Sequence, residues 1–363
     1  MKKFFFLICL IIIIIYYLFK NVIENFQNYK QVTITPTIPV YNKKIISSLE
    51  KNSMYYNFCN ILNKIYPLIH IKGLGPYDNI KKLLNGKIDF TIIQEYILLD
   101  SILRKSRFKH KYNNIRIITP LYKEKICLIV NPNSKIKSWR DLRGKKVCFG
   151  KNDSGSRYIA IEMLKLINIS INDIYIYNNN SYHYKTIDKL LNNQLDAICV
   201  VTSHPDEKLK NIFSKNLLSI IGTKGIPDNI FKARFPTSLS SNINLVDYNF
   251  PSLNRKIKTF SFNCILITLN TQNFKTIYNL INTIFSNTLY IRNNIKYEEN
   301  KKVLEEFPVS SYFPKNNIIK LHDAVIKYYS DIGMITYNKN KKCLLFAGTG
   351  KCNLEIINYY SGY

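Results

Sequence analysis

The chain is short of acid. Asp and Glu number 24 against 52 Lys and Arg, a formal net charge of +28 over 363 residues. An excess of that size attracts polyanions, anionic membranes or small acidic ligands. The sequence has no arginine-rich arm, zinc-finger spacing or RNP-type aromatic motif, so nucleic acid is not expected as a partner. The lysines are scattered among Asn, Ile and Tyr, as an AT-rich coding sequence would leave them. Catalytic signatures are also missing: there is no nucleophile elbow, no His-Glu-x-x-His and no carboxylate pair set by local spacing. The fragment Gly348-Thr-Gly-Lys351 resembles the end of a phosphate loop, but Leu345 stands where its first glycine belongs and Cys352 follows the lysine. The 8 cysteines and 5 histidines share no metal-ligand spacing. No catalytic residue, metal or cofactor is therefore expected, and the chain reads as a non-enzyme.

What is present is a folded protein: 46% hydrophobic and 21% charged, long enough for two medium domains. Lys2 and Lys3 precede an apolar run from Phe4 to Phe19, closed by Lys20. At 1.5 Å per residue it spans roughly 24 Å, somewhat less than a ~30 Å hydrocarbon layer. It is either a signal-peptide core or a short retained anchor. No small-x-small cleavage site follows, which favours the anchor with the bulk of the chain extracytoplasmic, or secreted if the leader is cleaved. Cys127, Cys148, Cys199 and Cys264 sit in strand-like apolar runs as small hydrophobes. Cys343 and Cys352 flank a segment able to turn back as a hairpin, which would let them pair in an oxidising compartment.

Two stretches share one plan. Ile80 to Ile93 and Ile187 to Val200 each carry paired leucines, then Gly or Asn where a left-handed helix end is wanted, then Asp and an apolar strand. Seen twice, the pattern predicts two lobes of like α/β construction. Elements expected in the first are strands at Val32–Thr35, His70–Lys72 and Phe90–Ile93, a helix from Ser53 through Ile65, and a strand pair over Ile115–Val130 broken at Pro120. The apolar strand Phe262–Leu269 would return the chain to the first lobe, and helices over Asn273–Ile335 would pack on it.

The stretch around which the chain is organised runs from Val147 to Leu166. A short apolar strand enters the loop Gly150-Lys-Asn-Asp-Ser-Gly-Ser156, from which a helix springs. Ser154, Gly155 and Ser156 stand at its start, where unpaired amides and the positive end of the helix dipole hold anions well. Arg157 in the first turn opposes that dipole, a mismatch that a bound carboxylate or phosphate would offset. The alternative is an ordinary serine N-cap with Arg157 in solvent. The loop alone does not choose between them.

Several local patterns, in order, resemble the TAXI-type solute-binding proteins of TRAP transporters. They are the Tyr pair in Ser53-Met-Tyr-Tyr-Asn57, the turn Gly75-Pro-Tyr-Asp-Asn79 followed by Leu83 to Asp89, and a strand ending in Gln94. Next come Asp141-Leu-Arg-Gly-Lys-Lys-Val-Cys-Phe-Gly-Lys-Asn-Asp-Ser-Gly-Ser156, Asn193-Gln-Leu-Asp-Ala197 and His322-Asp-Ala-Val-Ile-Lys-Tyr-Tyr329. Three positions depart from that family: Pro36-Thr-Ile-Pro39 replaces its first glycine-rich loop, Pro76 replaces a serine, and Asp323-Ala324 replaces Pro-Gly.

The resemblance implies an α/β, two-lobed type II periplasmic-binding-protein-like fold with a hinge and an interlobe cleft, behind the N-terminal apolar anchor. Residues 1–31 would be anchor and tether, 32–130 with 260–340 the first lobe, 131–259 the second and 341–363 a tail. It implies a small anionic solute, an organic acid or acidic amino acid, as ligand and a TRAP-type membrane subunit as partner. Tyr55, Tyr56, Asn79, Gln94, Ser154, Gly155, Ser156, Arg157, Thr202 and Ser203 would gather at the cleft. For Tyr55 and Tyr56 the competing role is core packing; for Asn79 it is helix capping. The changed first loop motivates a second function class, a surface or virion-type structural or adhesion protein that keeps the fold without transport.

Overall fold

The structure, a computed structural model, describes residues 43–49, 51, 53–105, 107–178, 186–213, 218–248, 256–307, 319–338, 343–346 and 352–353. The apolar leader and the expected strand Val32–Thr35 lie outside these residues.

The repeat seen in the sequence becomes two copies of one βαβαβ unit. The first is β1 (Lys44–Ser48), α1 (Met54–Ile65), β2 (Leu68–Lys72), α2 (Pro76–Leu84) and β3 (Phe90–Gln94), followed by α3 (Glu95–Ile102). β1 lies parallel between β2 and β3. A long strand, β4 (Ile115–Val130), leads to the second copy: β5 (Lys146–Cys148), α4 (Gly155–Leu166), β6 (Tyr175–Ile176), α5 (Ile187–Leu191) and β7 (Ala197–Thr202). Here β5 lies parallel between β6 and β7.

The repeated sequence signals have matching physical jobs. Gly86 (φ 66°) and Asn193 (φ 56°) take the left-handed conformation that turns the chain from helix into strand. Gly enters it freely, and Asn more readily than other residues. The aspartates that follow tie each new strand to its neighbour. Asp89 Oδ2 accepts from the Ile45 amide at 2.8 Å, and Asp196 Oδ2 accepts from the Lys146 amide at 2.8 Å.

After β7 come α6 (Glu207–Phe213), β8 (Ser219–Ile221), α7 (Asp228–Arg234), β9 (Leu239–Asn244) and β10 (Lys256–Leu269). β10 and β4, both long, run antiparallel through the middle of one ten-stranded sheet of order β2-β1-β3-β10-β4-β7-β5-β6, with β8 on β4 and β9 on β10. The first copy therefore joins through β3 on β10 and the second through β7 on β4. Helices α8 (Phe274–Ser286), α9 (Thr288–Asn294), α10 (Glu298–Val303) and α11 (Asp323–Asp331) follow. The hairpin expected between Cys343 and Cys352 forms within a small antiparallel sheet, β11 (Ile335–Asn338), β12 (Cys343–Phe346) and β13 (Cys352–Asn353). Its register sets Cys352 opposite Leu345 and Cys343 opposite Asn338.

β4 is one strand, not the pair broken at Pro120 that alternation suggested. Pro120 lacks an N–H, and the β4–β10 ladder absorbs it with a register shift: Ile265 faces Pro120 while Cys264 faces Tyr122. A bulge is where a sheet tolerates proline. Beyond it, the second half packs Cys127, Ile129, Ile198, Val200 and Phe213 into its core. Trp139 is fully buried beside this region and donates from Nε1 to the Gly222 carbonyl at 2.8 Å.

Candidate functional site

The helices that follow the first strand of each unit start alike. Ser53 caps α1 and Ser154 caps α4, each side chain accepting from the amide three residues on at 3.2 Å. Both starts open on one cavity of about 120 Å³ at the carboxyl ends of the strands. The first half contributes Leu49, Ser53 to Tyr55 and Gln94 to the wall, and the second half contributes Lys151, Ser154 to Ser156, and Val201 to Ser203. Gly75 and Pro76 at the start of α2, and Asp206 to Lys208 at the start of α6, complete the sides.

Of the residues expected at the cleft, Tyr55, Gln94, Ser154, Gly155, Ser156, Thr202 and Ser203 line this cavity. Their hydroxyls are mostly engaged by the protein. Ser154 Oγ donates to the Lys151 carbonyl at 2.8 Å, Ser156 Oγ accepts from the Val201 amide at 3.2 Å, and Thr202 Oγ1 donates to Asp206 Oδ2 at 3.0 Å. The open donors at the α4 start are instead the Gly155 and Ser156 amides, which no helix hydrogen bond uses and for which no acceptor stands among the described residues.

Three expected residues stand elsewhere. Tyr56 packs on His70, ring centroids 4.8 Å apart. Arg157 is not in the lining; its Nη1 is buried without a partner, and burial, then the nearby Arg107 charge, pull its pKa below the usual guanidinium value. Asn79 is fully buried behind the wall and ties α2 to the sheet. Its Nδ2 donates to the Ser48 carbonyl and to Thr91 Oγ1, and its Oδ1 accepts from Ser47 Oγ. Removing an amide so engaged leaves buried groups unsatisfied. Asn79→Ala is expected to lower the unfolding free energy by about 2 kcal/mol in urea titrations, as three buried groups lose a partner.

Glu124, which no sequence motif marks, lines the cavity from β4 and is 3% exposed. Its Oε2 accepts from Tyr55 Oη at 2.9 Å and from Gln94 Nε2 at 2.8 Å. Burial pushes its pKa up to about 7, against the pull of those donors. A signal for it exists. Along β4 the buried positions alternate as Tyr122, Glu124 and Ile126, with Lys123 and Lys125 on the other face. An acid in the buried phase of a strand is costly unless something uses it. Tyr297 (φ 71°) and Asn300 also line the cavity, from the start of the C-terminal helices, without a local motif to announce them.

The two halves touch on both flanks of the cavity. On one, Asp100 of α3 meets Arg234 of α7 through both carboxylate oxygens (3.3 and 3.4 Å), Tyr158 joins that pair, and Arg234 Nε reaches Glu162 at 2.7 Å. Arg107 pairs with Asp153 beside it. On the other flank Lys210 meets Glu299 at 2.9 Å and Lys302 meets Asp247 at 2.7 Å. Among the described residues, no cluster of His, Cys, Asp and Glu is arranged to hold a metal ion.

The sequence profile of the NMT1-like family matches residues 63–333. Solved structures similar to this chain include the arginine-, lysine-, histidine-binding protein ArtJ of Geobacillus stearothermophilus, with TM-score 0.43 and 14% identity over 71% of this chain and 96% of that one. The GluR0 ligand-binding core of Nostoc punctiforme, in complex with L-glutamate, gives TM-score 0.42 and 11% identity over 70% and 99%. An ABC uptake transporter substrate-binding protein of Streptococcus pneumoniae with bound histidine gives 0.44 and 12% over 72% and 94%. The α/β, two-lobed type II periplasmic-binding-protein-like fold with a cleft, expected from the sequence, is the fold observed. The match spans most of the folded part, and the chain belongs to the NMT1-like family.

Proposed function

We propose that the protein is a TAXI-type extracytoplasmic solute-binding protein that closes its two lobes on a small carboxylate-bearing solute, an organic acid or acidic amino acid, and passes it to a TRAP-type membrane subunit. The apolar N-terminal segment would hold it at the membrane. In this reading the lobes are the two βαβαβ units with their attached strands and helices, and the hinge lies where β4 and β10 pass from one unit to the other, near Glu124 and Phe262.

The observation that carries the reading is the start of α4. Gly155 and Ser156 line the cavity between the halves, and a ligand carboxylate there would accept from their amides, which no described residue engages. The α1 start faces the same space from the other half, so ligand and closure favour each other. The expected contacts are those two amides with Tyr55, Gln94, Thr202 and Ser203, while Tyr56, Asn79 and Arg157 support the wall from behind.

Thermal unfolding against a panel of carboxylates and amino acids is the test. A compound present at 100 times its Kd is expected to add about 2.7 kcal/mol to the unfolding free energy. A full panel without a single stabilising compound would instead favour a surface protein that keeps the fold and binds no solute.

A further inference from the structure

Glu124 is a buried acid without a cation. No ion pair reaches it among the described residues, and Tyr55 and Gln94, which donate to its Oε2, are neutral. Tyr55 of α1 and Cys264 of β10 donate to it and favour its charged form, but burial outweighs them, and the neighbouring Tyr96 of α3 and Tyr122 of its own strand are neutral phenols. Asp206 across the cavity is a further negative group acting on it. The basic residues in the lining are Lys151 and Lys208, on the opposite lobe. Such an arrangement is costly for an ionised carboxylate unless a positive charge enters the cavity.

A second observation points the same way. Gln94, 5% exposed and in the cavity wall, has its amide nitrogen committed to Glu124, while its Oε1 is buried without a donor. Two residues of the lining joined by a hydrogen bond, Glu124 and Gln94, thus carry acceptors that no protein cation or donor satisfies. Gln94 also lies against the α4 start: a Cβ added to Gly155 would come within 3.2 Å of Gln94 Nε2. The acceptor pair and the carboxylate-binding amides are therefore neighbours.

We infer that Glu124 and Gln94 Oε1 form a subsite for a cationic nitrogen on the ligand, beside the amides that would hold its carboxylate. This deepens the solute-binding reading and rests on it. Because the acid must be ionised to hold the cation, ligand entry expels a proton from Glu124 to solvent, and affinity falls in acid. With the acid at about 7, each pH unit below that leaves about a tenth as much competent protein. The ligand-free protein behaves oppositely. A carboxyl whose folded pKa is raised contributes stability while protonated, and that contribution is lost as pH rises through about 7.

Isothermal titration of the full chain with two matched pairs tests this: L-glutamate against glutarate, and L-alanine against propionate. At pH 8 at least one amine-bearing member is expected to bind ten or more times tighter than its partner. That advantage should shrink about tenfold at pH 6 and vanish in Glu124→Gln. The same variant, without ligand, should melt at a higher temperature than wild type at pH 8 and not at pH 5. Should the variant fail to fold, the wild-type pH series decides alone. Equal affinity within every pair that binds, or an advantage indifferent to pH, overturns the subsite and leaves solute binding standing. Absence of binding by these four and by the wider panel overturns both.

Discussion

Arg234→Ala is expected to separate the two lobes. Among the described residues, Arg234 is the one cation on the second half that reaches Asp100, whose side chain is 2% exposed. The guanidinium spans both carboxylate oxygens, at 3.3 and 3.4 Å, so it is the charge that offsets the buried acid. Deleting the arginine leaves the carboxylate buried with only the Tyr158 hydroxyl against it, and removal of one partner from a buried pair costs about 3–5 kcal/mol. The part of that cost carried by Asp100 falls on contact between the halves, because Asp100 belongs to one unit and Arg234 to the other; loss of the Arg234–Glu162 pair falls within the second half. The first half should keep its stability, the second should lose a little with the Glu162 pair, and small-angle scattering should report a larger radius of gyration. The opposite flank serves as control. Lys302 is 50% exposed, and pairs so wet contribute ~0–1 kcal/mol, so Lys302→Ala should leave the scattering curve where it was. Asp100→Asn placed on Arg234→Ala should restore part of the compact form, since it removes the stranded charge. An unchanged radius for Arg234→Ala would show that the ion pair does not hold the lobes together.

That pair was invisible in the sequence, because its members lie far apart along the chain and neither sits in a motif. What was legible had a local cause. Ser53 and Ser154 announced helix starts because a capping hydroxyl is a near-neighbour effect. Gly86 and Asn193 announced the helix-to-strand turns because few residues accept positive φ. From these alone the two α/β units and the start of α4 could be drawn. Pro120 misled, since a missing N–H breaks a strand in isolation but is absorbed by a bulge once β10 supplies the ladder. Asn79 and Tyr56 were assigned to the cleft on their place in a motif. Which way a helical side chain faces depends on the sheet beneath it, and there Ser47, Ser48 and Thr91 claim Asn79 while His70 takes Tyr56. Glu124 was readable in principle from its phase in β4. It was passed over because flanking lysines make the segment look solvated.

Gly155 is where helix chemistry and closure make opposite demands. Gly155→Val is expected to reduce affinity for any compound that stabilises the wild type by about 100-fold or more. A Cβ at this position would lie 2.5 Å from Tyr96 Oη, closer than real contacts allow. Tyr96 cannot yield: it is 1% exposed, with Phe262 4.6 Å away edge-on, Phe235 at 6.0 Å and the Tyr158 ring stacked at 5.8 Å. Overpacking of a well-filled site costs about 1–3 kcal/mol for small additions, and valine adds three carbons at the contact between the lobes. At about 3 kcal/mol the closed form loses a factor of roughly 150. The same contact stands in the ligand-free structure, so the ligand-free variant should also lose about 1–3 kcal/mol in urea, offset by up to about 1 kcal/mol because glycine is the poorer helix former. The paired variant separates the two effects. Tyr96 Oη is buried without a partner, so Tyr96→Phe should cost little by itself. Combined with Gly155→Ala it removes the atom that the new Cβ meets, and binding should recover to within about tenfold of wild type. If Gly155→Val bound ligand as the wild type does, the lobes would not close against α4 at this point, and the amides at its start would have no ligand to hold.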